Sequence, residues 1–472
     1  MMRHLKCVAA ATGFILSGAV EAGNLEIVHA DMAHSWVGYG ALAIFVLAYL
    51  LAMLEESTLL RKSKPMVFAA SLIWALIAVV YSRAGLGAES GQAFRTSLGA
   101  YAELFLFILV SMTYLNAMEQ RGVFDNLRNW LIGRNLSYRS LFWFSGCLSF
   151  LLSAVFNNLT TALLMGTVLL ALARTNRSFI GIACTNIVVA TNAGGSFSPF
   201  GDITTLLVWQ KGTVPFQDFS ALFIPAVVNF VVPSMIMHWF IPRGRPQWKV
   251  NPNPLRRGAV GIILLFAMTI LTAVGFKVYL NLPPAAGMLA GLSYLSFYFF
   301  YLYRSRARDS HEMTPNRDAP TEGESHFFDV FHNVARLEWD TLLFFYGVIV
   351  SLSGLAFIGY LSLVSEFIFS TMDPTLAGIL VGIVSAFIDN GTVMFTVLAM
   401  SPMISEGHWL LVTLAAGVGG SLLAIGSAAG VGLLGQTRGL YTFASHLRWT
   451  PAIALGYAAS IYAHMILNKG FF

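Results

Sequence analysis

The chain alternates long apolar runs with short polar interruptions. Runs close to the roughly 20 residues that a helix needs to cross a bilayer predict spans. They fall at 36–54, 66–84 and 100–118, and again at 221–241, 258–275, 284–303, 340–360 and 450–467. Four other runs are irregular. Segment 140–173 is too long for one span, yet it leaves no room for two spans and a loop. Segment 374–401, PTLAGILVGIVSAFIDNGTVMFTVLAMS, has the same character. Segments 179–210 and 409–435 read as one span each, broken in the middle by NAGGSFSPFGDITTLL (192–207) and by GGSLLAIGS (419–427).

Charge gives these runs a direction. EESTLLRKSK, the loop bearing Arg121 and Arg128, IPRGRPQWKVNPNPLRR and RSRAR are basic and are predicted to be cytoplasmic. Arg134 and Arg139 precede segment 140–173, and Arg174 and Arg177 follow it. Both of its ends are then on one side, which predicts a re-entrant helical hairpin with FNNLTT at its tip. Glu366, Asp373, Glu406 and His408 flank segment 374–401 without a Lys or Arg, so this second hairpin should enter from outside. Residues 304–338 form a polar cytoplasmic connector of mixed charge.

The irregular segments match in pairs. SAVFNNLTT (153–161) aligns with SAFIDNGTV (385–393), so that Asn157 meets Asp389, Asn158 meets Asn390, and Thr160 meets Thr392. GGSFSPFGD (194–202) aligns with GGSLLAIGS (419–427). Gly194, Gly195, Ser196 and Gly201 then meet Gly419, Gly420, Ser421 and Gly426, and Asp202 meets Ser427. Each half runs through three spans, a hairpin, a broken span and a last span. That is five full crossings, and an odd number inverts the second copy. The expected fold is an all-α polytopic membrane protein built as an inverted-topology repeat, with membrane repeats at 36–241 and 258–467.

Composition agrees with this class. Of 472 residues 57% are hydrophobic and 11% charged, with mean hydropathy +0.70, against about 25% charged in a soluble domain. The net charge of +5 sits in a few loops, which argues for membrane topology and against a nucleic-acid partner. Cys7, Cys147 and Cys184 have no metal-ligand spacing and predict no disulfide framework. Residues 1–22 read as a signal-peptide-like segment or as a first helix; either places residue 30 outside the cytoplasm.

The candidate chemistry lies at the two tips and the two breaks. Gly194, Gly195, Gly201, Gly419, Gly420 and Gly426 let a helix stop and turn, and Pro199 removes a backbone donor. Around them stand oxygen-bearing side chains: Asn157, Asn158, Thr160, Ser196, Ser198 and Asp202 from the first half, and Asp389, Asn390, Thr392, Ser421 and Ser427 from the second. Carboxylate, hydroxyl and carbonyl oxygens suit hard cations such as Na+ and Li+. No Lys or Arg lies in these stretches, which argues against a large anion as the main substrate. An ionised Asp at membrane depth costs about 2.5–3.5 kcal/mol or more. Asp202 and Asp389 can lower that cost by binding a cation or by taking a proton, and one carboxylate cannot do both at once. Each can also serve as the cap of the helix that follows it.

FNNLTTALL, TNAGGSFSPFGDITTLLVWQKG and FIDNGTVMFTV resemble the signature regions of the NhaD-type sodium/proton antiporters, of the ion transporter superfamily. The resemblance covers nearly the whole chain after residue 30. It implies a bacterial inner-membrane protein that exchanges Na+ or Li+ for H+ with no cofactor. It further implies a homodimer with elevator-like movement of the hairpin and broken-helix units. The alternative within the superfamily is a Na+-coupled carboxylate or oxyanion symporter, and Asn157-Asn158-Leu159-Thr160 departs from the Ser-Asn-Thr tip of those carriers. An intramembrane aspartyl protease would carry Gly-x-Gly-Asp where this chain has Pro199-Phe200-Gly201-Asp202, which speaks for a carrier and against an enzyme.

Overall fold

A computed structural model describes residues 32–58, 60–134, 136–173, 176–245, 256–313 and 330–472. The signal-like segment 1–22, Cys7, Arg174 and residues 314–329 of the polar connector lie outside the described residues. Among the described residues all regular structure is helical, and nine helices are long and apolar enough to cross a membrane.

Two compact units emerge, each drawing on separated stretches of sequence. The first holds α1 (Trp36–Met53), α2 (Ser63–Arg83), the start of α3 (Gly87–Gln120) and α12 (Trp339–Phe357). Ser35 opens α1 by accepting a hydrogen bond from Gly38 N. Helix α2 packs against both α1 and α12. Its Trp74 donates from Nε1 to Val350 O (2.8 Å) and stacks on Phe357. Ser63 donates to Asp340, which ties together the N-terminal ends of α2 and α12.

The second unit holds the rest of α3 and α4 (Val123–Gly133), then α5 (Tyr138–Ser153), α6 (Asn158–Ala173), α7 (Arg177–Gly195) and α8 (Ile203–Lys211). It continues with α9 (Phe223–His238), α10 (Ala259–Leu280), α11 (Pro284–Met313), α13 (Pro374–Val384), α14 (Asn390–Met400), α15 (Glu406–Gly419), α16 (Ala428–Thr437) and α17 (Thr450–Leu467). Here α5 packs on α7, α13 on α15, α9 on α17 and α6 on α16.

The core of this unit is α7 with α15. Helix α7 is buried without a gap from Phe179 to Gly195, and α15 without a gap from Trp409 to Gly419. A helix covered on every side has no face for solvent or lipid and belongs at the centre. Helix α10, by contrast, leaves Leu264 and Leu271 exposed on an outer face that suits lipid.

The predicted boundaries hold for most spans, and three elements differ. Helix α3 begins at Gly87, well before the predicted 100: no proline interrupts Gly87–Tyr101, and the helix runs through Gly91 and Gly99 and past Glu89 and Arg95. Helix α11 continues through RSRAR to Met313, and Val330–Ala335 forms another helical turn, so the connector contains more helix than its charge suggested. The first arm of the broken segment 179–210 is long: α7 has 19 residues and could cross a bilayer alone.

Close packing in the first unit depends on a bare backbone. A Cβ on Gly347 of α12 would run into the Met66 backbone of α2. Gly347→Val should therefore destabilise the fold by about 1–3 kcal/mol, seen as a lower melting temperature of the detergent-solubilised protein. Gly40→Ala, inside α1 where nothing lies within 4 Å of the added Cβ, should not lower the melting temperature and should raise it slightly, since Ala favours a helix over Gly by up to about 1 kcal/mol.

Candidate functional site

The two helix breaks are built alike. Helix α7 ends at Gly195 and α8 begins at Ile203; helix α15 ends at Gly419 and α16 begins at Ala428. Asp202 precedes α8 with φ −135° and ψ 153°, and Ser427 precedes α16 with φ −142° and ψ 150°. Both are extended caps whose side chains accept from the following helix, Asp202 from Ile203 N and Ser427 from Gly430 N.

The glycines are required by the neighbouring backbones. A Cβ on Gly194 would strike Phe150 O, and one on Gly419 would strike Gly382 O. Likewise Gly201 meets Ser153 O, and Gly426 meets Ala386 O and Ser385 O. In both halves the broken helix thus lies with its backbone directly on the end of the preceding helix pair.

Asp202 lies at the centre. It is buried, and its two oxygens divide their work. Oδ1 accepts from Ile203 N (2.7 Å), which is the capping role. Oδ2 accepts from Thr204 Oγ1 (3.1 Å) and from Asn390 Nδ2 (2.8 Å), the latter from the second half of the chain. The Asn158 side chain lies against the same carboxyl group. Asp202 is therefore a cap and the meeting point of both halves.

A second buried line of hydrogen bonds runs beside it. Ser153 Oγ donates to Asn158 Oδ1 (2.7 Å), and Asn158 Nδ2 donates to Asn192 Oδ1 (3.1 Å). Asn192 Nδ2 in turn donates to Ser427 Oγ (2.9 Å), so this line too joins the halves. Ser196 Oγ donates to Asn192 O (2.7 Å). Gly417 of α15 leaves space against this cluster: a Cβ there would sit 2.8 Å from Ser196 Oγ, 3.5 Å from Asp202 Oδ2 and 3.5 Å from Thr204 Oγ1. Three oxygens thus surround one point beside a bare α-carbon.

The remaining candidates are placed differently. Asp389 is half-buried, accepts from Thr392 N (3.3 Å) and lies close enough to act electrostatically on Asp202. Thr392 Oγ1 is buried with no hydrogen-bond partner. Asn157 accepts from Thr160 N (2.8 Å), while Ser198 Oγ accepts from Phe200 N (3.3 Å), so these two serve their own turns. Thr160 is half-buried at the start of α6. Ser421 Oγ donates to Val418 O (2.6 Å) within the second break. Pro199 lies in the first break between Ser198 and Phe200, and Gly420 meets Gly426 O across the second.

Sequence reasoning had not singled out Asn192, Thr204, Thr205 or Gly417. Asn192 sits three residues before the end of α7 and reads as an ordinary helix residue. Only packing shows that it links Asn158 to Ser427. Among the described residues no group of three His, Cys, Asp or Glu is placed to hold a resident metal ion. The donor set at Asp202 is all oxygen and amide, which suits a hard, exchangeable cation or a proton.

Comparison with known proteins decides the family. A family model described as citrate transporter matches residues 8–417. The Na+/H+ antiporter NhaD of Halomonas elongata is 51% identical over 464 residues, covering 97% of this chain and 93% of its own. The chain belongs to the NhaD antiporter family. The NhaD protein of Vibrio cholerae is 50% identical over 93% of this chain and 93% of its own. Sodium/proton antiporter 1 of Arabidopsis thaliana is 28% identical over 93% of this chain and 75% of its own. The NhaD relatives are named as transporters and not as enzymes.

In this NhaD-family chain Asn192→Leu should remove both side-chain bonds of the Asn158–Asn192–Ser427 line, of which the one to Ser427 joins the halves. Each buried polar group left without a partner costs about 1–3 kcal/mol. The purified variant should unfold at a clearly lower temperature, whereas Asn157→Ala, which removes one cap at a half-buried tip, should cost only about 1 kcal/mol.

Proposed function

We propose that this chain exchanges Na+, and Li+, for H+ across the bacterial inner membrane as a multi-pass secondary transporter, with Asp202 as the group that the two ions share. The observation that carries this reading is the buried carboxylate oxygen Oδ2 of Asp202. It is held by Asn390 and Thr204, with Ser196 Oγ and the space beside Gly417 next to it. A cation there would meet the Ser196, Asp202 and Thr204 oxygens gathered beside Gly417, and a proton neutralises the same carboxylate. The two loadings exclude each other, and with alternating access that exclusion is enough for antiport.

The ligand set would comprise Asp202, Ser196 and the amide oxygens of Asn158 and Asn390. Thr392, Ser421 and Ser427 from the second break and tip would complete or exchange with it. Asp389 acts on Asp202 through its charge and is the second acid in the cycle.

The architecture suited to this cycle is the inverted repeat with two re-entrant hairpins. In its favour, α5 and α6 have 16 residues each and α13 and α14 have 11 each. At about 1.5 Å per residue none of these spans a hydrocarbon core of about 30 Å. The matching dihedral angles at Asp202 and Ser427, and the matching glycine contacts of the two breaks, support equivalent halves. Assembly as a homodimer, with the hairpins and broken helices moving against a scaffold, belongs to the same reading.

The family description names citrate. Against an obligatory organic anion stands the absence of Lys and Arg from both tips and both breaks. In proteoliposomes free of organic anions, Na+ should still drive proton release; a requirement for citrate or another carboxylate would replace this reading with symport.

Asp202→Asn should abolish Na+-driven dequenching of a pH dye in everted vesicles while the protein still reaches the membrane, and Asp389→Asn should do likewise. Wild-type rates in Asp202→Asn would remove this residue from the mechanism. Gly417→Ala should cut the rate sharply at unchanged abundance, since its methyl group occupies the point among the three oxygens.

A further inference from the structure

The two breaks differ in how their loose carbonyls are held. In the first, Thr205 Oγ1 donates to Ser198 O (2.8 Å) and reaches Gly195 O (3.4 Å), so the half-helix that follows closes its own break. The residue equivalent to Thr205 in the second half is Gly430, which has no hydroxyl and whose Cβ would collide with Ala424 O. The second break is held from elsewhere. His446 Nε2 donates to Ser421 O (2.9 Å), and Thr450 Oγ1 donates to Leu422 O (2.8 Å).

His446 is fully buried on the short helix Phe443–Leu447. A reciprocal pair of bonds fixes that helix: Ser445 N donates to Thr442 Oγ1 (3.2 Å), and Thr442 N donates to Ser445 Oγ (2.9 Å). The tautomer follows from the partners. A backbone carbonyl only accepts, so Nε2 carries the hydrogen; Nδ1 then accepts from the hydroxyl of buried Tyr441 (2.6 Å). A neutral imidazole in this tautomer is used at both nitrogens.

We propose that His446, with Tyr441 behind it, is a positioning residue for cation binding, holding the Ser421 carbonyl and thereby the geometry of the second helix break. The proposal rests on the exchange reading above, in which Ser421 contributes to the ion site. A buried carbonyl released from His446 would seek another partner, drawing Ser421 and its hydroxyl out of register. A neutral ring does this without placing a positive charge beside the cation.

The test is half-saturating Na+ in everted vesicles, read separately from the maximal rate and at matched protein abundance. His446→Leu should raise half-saturating Na+ about tenfold, the effect of losing roughly one good hydrogen bond, with a smaller change in maximal rate. His446→Gln, whose amide can still donate to Ser421 O, should return it to within about threefold of the wild type. Tyr441→Phe, a milder change, should raise it about threefold by loosening the ring. An unaltered half-saturating Na+ in His446→Leu overturns the proposal, as does an equal shift in the Leu and Gln variants. If His446→Leu fails to reach the membrane, Tyr441→Phe decides, and an unaltered value there overturns it. Wild-type vesicles that release no protons on addition of Na+ would overturn the exchange reading and this proposal together.

Discussion

A helix that stops at membrane depth releases backbone carbonyls and amides where water is scarce, and each needs a partner. That constraint organises the second unit. The breaks after Gly195 and Gly419 are surrounded by side chains whose hydrogen bonds run to backbone: Ile203 N to Asp202, Thr205 to Ser198 O, Ser196 to Asn192 O, His446 to Ser421 O and Thr450 to Leu422 O. The polar residues in these stretches are first a solution to broken helices. In the exchange reading proposed above, ion chemistry is built on what that solution leaves over.

What it leaves over is one carboxylate oxygen. Asp202 spends Oδ1 on capping α8, and Oδ2 faces amide and hydroxyl groups from both halves. Capping and ion binding need not compete as explanations, because a carboxylate has two oxygens. Ser427, the counterpart, keeps the same backbone geometry with an uncharged side chain. The two breaks thus share a backbone plan but differ in charge, and the site is lopsided towards the first half.

Glycine governs how close this can be. Gly194 on Phe150 O and Gly419 on Gly382 O are the same contact made twice, and a side chain at either would push the broken helix off its neighbour. The NhaD relatives, at about half identity over nearly the full chain, give the family. The geometry adds the atoms on which the proposed ion site rests.

The sequence by itself determined the membrane class, most span positions, the two helix pairs, the breaks and the prominence of Asp202. Apolar run length, glycine and intramembrane charge are local properties that a reader can weigh one segment at a time. It did not reveal Asn192, Thr204, Gly417 or His446. Asn192 looks like any helix residue until Asn158 and Ser427 are seen on either side of it. Gly417 matters only because Ser196, Asp202 and Thr204 face its missing side chain. His446 lies 25 residues beyond the carbonyl it holds. Partnership between atoms far apart in the chain is set by packing, so only the tertiary structure could decide which oxygen caps the backbone and which one meets side chains from both halves.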